Sequence, residues 1–316
     1  AFERGLNGES KLPIHLIRKA AIARLAEMGF PTNKHEEWRF TNITPITKIQ
    51  FRPATKLLSN TVALKTIEQF TLGGMKSHRL VFVNGHCAPD LSSIMGLSDG
   101  IQVGSLASAI RSDGALLYNH IGRYIKGDEN AFTALNTGFM QDGAFVNIPE
   151  GVVIEEPIHL LFVSTGRDAS FVSTPRNLII VGKNSQVSIV ESYVSVAGVP
   201  YLTNTVTEIV ASEHAVIEHD KFQDESLNAF HVGTTHFQQH AGSNIISNSI
   251  AIGGSIVRNN VTAVLGGEGI ECTLNGLSLA TGQQLVDNHT AIDHANPNCV
   301  SHELYKSILD GKSRGV

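Results

Sequence analysis

The densest collection of side chains able to hold a metal or move a proton lies in LVDNHTAIDHANPNCVSHEL, where Asp287, His289, Asp293, His294, Cys299 and His302 fall within a short span. Imidazole, carboxylate and thiolate together suit iron or a thiolate-ligated metal. The Asn296-Pro297-Asn298 turn can fold Cys299 back toward His294. His294, Cys299 and His302 are therefore the metal-ligand candidates, although their spacing follows no established ligand pattern and a structural turn is the favoured reading. A second concentration, His214, His219, His231, His236 and His240, holds five of the chain's 14 histidines. Side chains alternate faces along a continuous strand, so His231 points away from His236 and His240. The latter two share a face about 13 Å apart at about 3.3 Å per residue, too far for one metal with bonds of about 2 Å. Stacked strands leave room for a surface ladder of His, Asn and Gln.

Cys87, Cys272 and Cys299 are far apart, with no C-x-x-C pair, so neither a disulfide framework nor a single-chain zinc site is expected. A four-thiolate iron–sulfur cluster needs more cysteines than the chain holds and would have to borrow ligands from another chain. No phosphate-cradling G-x-x-x-x-G-K-[ST] loop, G-x-S-x-G elbow or H-E-x-x-H helix occurs. The acids Glu191, Glu208, Glu218 and Asp220 are scattered, which counts against a carbohydrate-active enzyme built on paired carboxylates. No catalytic residue is assigned.

What must position these groups follows from the rest of the 316 residues. Charged residues make up only 17%, and the net charge of -5 gives no broad footprint for nucleic acid or an anionic membrane. No apolar run approaches the roughly 20 residues needed to span a bilayer, and no secretory leader order is seen, so a cytoplasmic location is the default. Ile14, Ile17, Ala21, Leu25 and Met28 predict a helix over 12–28, entered at Pro13 and stopped at Gly29. Trp38, the single tryptophan, reads as an anchor docking the arm PTNKHEEWRFTN onto the main body. RLVFVNG, 79–85, predicts a strand closed by an Asn84-Gly85 turn. Residues 101–125 are expected to be mostly helical, with Gly104, Gly114 and Gly122 as weak points.

From about residue 143 the chain becomes short strands separated by Gly, Asn and Ser corners. Corners near Asn184, Glu213 and Gly242 recur every 29 residues, with a further one at Gly267. Self-similarity of this size marks coils that cover their apolar faces only by stacking. Val187 and Ile189 on one face, with Val190 and Val194 on the other, make the coils β rather than helical. A parallel β-helix is favoured, with an immunoglobulin-like or jelly-roll sandwich as the alternative.

Three ordered stretches resemble one family. PTNKHEEWRFTNI (31–43), LNTGFMQDGAFVNIPEGVVIEEPIHLLF (135–162) and QQLVDNHTAIDHANPNCVSHELYKSILDGKSRGV (283–316) are similar to segments of the SufD family of the SUF iron–sulfur cluster assembly system. The resemblance implies a mainly β chain with an N-terminal helical and mixed region, 1–140, and a right-handed parallel β-helix core, 141–316. It implies a non-catalytic scaffold that works with SufB-like and SufC-like subunits, the latter supplying ATPase activity; a homodimer stays open. No cofactor is expected to be held stably by this chain alone, the cluster being assembled with partner subunits. The family's functional Cys and His and its SufC-docking helices are expected beyond Val316, so the core reads as incomplete at its C-terminus. A carbohydrate-active β-helix enzyme is the alternative function.

Overall fold

Every second residue of QVSIVESYV points the same way. In the computed structural model, which describes residues 11–54, 62–94, 96–112, 114–125, 130–166, 169–196 and 198–316, Val187 and Ile189 turn into a closed core while Val190 is half-buried on the opposite face. The core lies between two sheets whose strands alternate along the chain. One runs through Ala144–Ile148, Arg176–Val181, Tyr201–Ala211, Ala229–Gln239, Ile256–Leu265 and Leu285–Asp293. The other runs through Ile158–Ser164, Gln186–Ser195, Val216–Asp224, Asn244–Ala251, Glu271–Ala280 and Val300–Leu309. Pairing within each coil stack is parallel. The result is a β-solenoid of about six turns, flattened to two faces. Two facing sheets of parallel strands replace the antiparallel sandwich considered as an alternative.

The corners are set by residues that tolerate left-handed backbone: Asn184 (φ 56°), His214 (φ 58°), Gly242 (φ 66°), Gly269 (φ 68°) and Asn298 (φ 59°). The first four hand their N–H to the coil above, Asn184 to the Glu213 carbonyl at 3.0 Å, His214 to Ala241 at 2.9 Å, Gly242 to Glu268 at 2.9 Å and Gly269 to Asn298 at 3.1 Å. The corner expected at Glu213 thus sits at His214, and that expected at Gly267 sits at Gly269. Successive intervals are 30, 28, 27 and 29 residues.

The N-terminal region adds strands to both sheets. The helix Ile14–Met28 begins after Pro13 and stops at Gly29, whose N–H reaches the Leu25 carbonyl. It packs on Ala131–Phe139 so closely that a Cβ at Gly138 would lie 2.7 Å from Ile22. His78–Val83 turns through Asn84 and Gly85, both at positive φ, into His86–Cys87, and pairs parallel with Ile158–Ser164. The segment 101–125 is less helical than its composition suggests. Gln102–Ser105 is a strand antiparallel to Ala144–Ile148, and among the described residues of the segment the helices are Leu106–Ser112 and Gly114–Tyr118. The buried Asp142 carboxylate accepts from Ser105 Oγ at 2.7 Å and from the Ala107 N–H at 3.1 Å, fixing the switch from strand to helix at residue 105.

His159 lies on the outer face of its strand, sealed beneath the N-terminal region, with Nε2 2.8 Å from Ser192 Oγ. Burial, helped by the charge of Arg79, holds its pKa down at about 4. The unfolded chain therefore takes up a proton near pH 6.5 that the folded chain refuses until about pH 4. Stability is expected to fall by ~3 kcal/mol as pH drops through that window. Denaturant unfolding of wild type and His159→Gln at several pH values checks this: the variant should lose most of that slope, and an unchanged slope would assign it elsewhere.

Candidate functional site

The arm predicted to dock through Trp38 does so on the outer face of the first sheet. Trp38 stacks on Phe132 with centroids 5.2 Å apart and lies beneath the Arg258 guanidinium, 4.0 Å from its ring centroid. Arg258 is in turn clamped by Asp287 at 2.6 Å and by the Glu37 carbonyl at 2.7 Å. Thr41 also donates to Asp287. His289 completes the knot, Nε2 3.0 Å from Asp287 and Nδ1 3.4 Å from Glu37. Asp287 and His289, first noticed as potential ligands, thus tie the arm to the last two coils of that sheet.

The three metal-ligand candidates are engaged separately. His294 Nε2 lies 2.9 Å from Ser301 Oγ, and the Cys299 thiol donates to the Gly267 carbonyl at 3.1 Å and packs against the core. His302 is exposed on Val300–Leu309. Among the described residues no group of three or more His, Cys, Asp or Glu side chains is placed to hold a metal ion. The five central histidines scatter as strand parity demands. His219 and His231 face the solenoid interior, His236 stacks outside on Tyr124 at 5.8 Å, and His214 and His240 sit at corners. The ladder that does form on the outer face is Asp220–Asn248–Asn275, linked at 2.8 and 2.9 Å.

What the sequence reading missed is inside. The first coils are apolar, with a ring stack of Phe82, Phe162 and Tyr193 at spacings of 4.8 and 4.7 Å. At Tyr193 the interior turns polar. Glu191 accepts from Tyr193 Oη at 2.6 Å and Thr207 Oγ1 at 3.2 Å and lies 3.1 Å from His219 Nε2, whose Nδ1 is 3.0 Å from Ser247 Oγ. Glu225 accepts from Thr203 at 2.6 Å and from Gln223 at 3.2 Å and lies 2.7 Å from His231 Nδ1. Between them Lys221 donates to Asn259 at 2.8 Å, and Asn259 donates to Asn288 in the next coil at 3.1 Å.

Burial pushes both carboxyls up, but their hydrogen bonds and the neighbouring positive charge more than offset this and hold them below the usual range. Desolvation lowers Lys221 to about 8 despite the pull of Glu191 and Glu225, and it lowers His231 with help from the Lys221 charge. Buried charge of this kind costs several kcal/mol per ion before pairing, and perturbed groups gather at functional sites more often than elsewhere. Parity was the available signal: Glu191 follows Val187 and Ile189 at steps of two, and one coil later Lys221 occupies its register position. The scattered acids divide by the same rule, Glu191 inward, Glu208 beneath the 119–125 loop, Glu218 and Asp220 outward. No carboxylate pair faces a groove among them.

The chain matches two family models end to end. Residues 3–160 match the SufBD protein N-terminal region, and residues 162–316 match the SufBD core domain of SUF system FeS cluster assembly. It is 31% identical over 307 residues to an iron–sulfur cluster assembly SufBD family protein of Synechocystis, covering 95% of this chain and 67% of the relative. Protein ABCI7, chloroplastic, of Arabidopsis thaliana is 28% identical over 308 residues, 95% of this chain and 63% of the relative. The iron–sulfur cluster assembly protein SufD of Escherichia coli is 23% identical over 297 residues, 93% and 66% respectively. The chain spans about two thirds of the length of these relatives.

Proposed function

Because the chain belongs to the SufBD family, we propose that it acts as a non-catalytic scaffold in iron–sulfur cluster assembly, bound to a SufB-like subunit and to a SufC-like ATPase. The observation that carries this reading is the tiling of the chain by the family's N-terminal and core models. The solenoid supports it: coils stacked at near-constant pitch make a rigid wall suited to holding partners in fixed relation. Iron and sulfide are cargo here, assembled with ligands that partner subunits supply. A cytoplasmic site of action goes with the reading, and among the described residues no helix is long and apolar enough to cross a membrane. The scattered carboxylates give the carbohydrate-active alternative no support.

Co-expression of the full-length protein with SufB-like and SufC-like subunits, followed by anaerobic size-exclusion chromatography under reducing conditions, tests the proposal. A single stoichiometric peak is expected, with ATPase activity that follows the SufC-like subunit. Elution of the protein apart from both partners would overturn it.

A further inference from the structure

Gly233 faces the interior directly opposite Lys221. A Cβ built there would sit 2.5 Å from Lys221 Nζ and 3.1 Å from His231 Nε2. The glycine therefore keeps open a gap on which an ammonium and an imidazole nitrogen converge. His231 is wholly buried, and its Nε2 has no hydrogen-bond partner among the described residues. Beside the gap is a small chamber of about 10 Å³ whose lining includes His219, Lys221, Gly233, Thr235, Ser249 and Tyr305, room for one small species. We propose that this chamber binds a single monovalent anion of halide size, held by the Lys221 ammonium and the hydroxyls of Thr235 and Ser249, the Ser247 hydroxyl being spent on His219 Nδ1.

The charge arrangement favours an anion over a cation. Each interior carboxylate is taken up by its own set of donors, Glu191 by Tyr193, Thr207 and His219, Glu225 by Thr203, Gln223 and His231. Lys221 is left with a neutral amide as its hydrogen-bond acceptor. A buried ammonium without a directly bonded anion is the costly member of such a network, and a small anion repays its desolvation. The lowered Lys221 pKa of about 8 is the same cost expressed as proton affinity. His231 donates Nδ1–H to Glu225, so a proton on Nε2 would make it a second charged donor to the gap. The titratable and charged groups facing it are Glu225, Lys221 and Glu191, with the Tyr193 ring edge-on at 5.0 Å. Binding therefore takes up protons, and affinity rises as pH falls.

Crystals of the full-length protein grown in sodium bromide and measured at the bromine absorption edge provide the test, together with melting curves in bromide and in gluconate at equal ionic strength. An anomalous peak within hydrogen-bond distance of Lys221 Nζ is expected, with a bromide-specific rise in melting temperature that grows toward lower pH. Ser249→Ala should weaken bromide binding about tenfold, the loss of one hydrogen bond to a charged group. Gly233→Ala fills the gap against the movable end of Lys221 and should abolish the peak while the protein still folds. Bromide found only on the surface, a chamber holding water alone, or a peak without any bromide-specific stabilisation would each overturn the assignment.

Discussion

Glu208→Ala lowers the unfolding free energy by about 3–5 kcal/mol, the range for breaking a buried ion pair from one side. Both partners are fully buried, with Arg176 Nη2 2.5 Å and Nε 3.1 Å from Glu208 Oε2. The same carboxylate accepts the N–H groups of Gly122, Tyr124 and Ile125 at 3.1, 3.2 and 3.2 Å, so it pins the 119–125 loop to the sheet. Alanine strands a guanidinium and three amides at once. Guanidinium denaturation gives the magnitude, and hydrogen exchange should show those three amides losing protection in the variant. A cost below about 1 kcal/mol, as for an exposed pair, would mean that water reaches the Arg176 site.

The second large effect is steric. A Cβ at Gly253 would lie 2.0 Å from the Glu225 carbonyl oxygen and 2.4 Å from its nitrogen. Backbone cannot rotate aside as a side chain can, so Gly253→Ala is expected to cost about 2–3 kcal/mol, the upper range for overpacking. The displaced residue carries the carboxylate that orients His231, so the variant should also disturb the interior network. Gly269→Ala is the control. Its φ is +68° and its Cβ would meet nothing within 4 Å, leaving only a backbone penalty of about 1 kcal/mol. Equal losses in the two variants would show that corner conformation, not inter-coil contact, limits the stack.

Much of the winding was readable beforehand. Asn184 and Gly242 announced corners because few residues accept left-handed backbone, and Val187 and Ile189 gave the inward parity. Glu213 and Gly267 were displaced by one and two residues, because composition locates a corner but the inter-coil N–H bond decides which residue turns. Segment 102–105 escaped because its pairing partner lies at 144–148, a contact that no local pattern encodes. The interior charges escaped for a different reason. Lys221 and Glu191 occupy inward positions where a reader assumes solvent-facing polar residues, and only coil-on-coil register shows them meeting.

Corner intervals of 27 to 30 residues share one stack. Residues gained or lost between corners are therefore absorbed as local bulges in an arc, and strand register on either side is preserved. Such a chain can drift in length through evolution, or accept an inserted peptide tag in an arc, without a frameshift of its architecture.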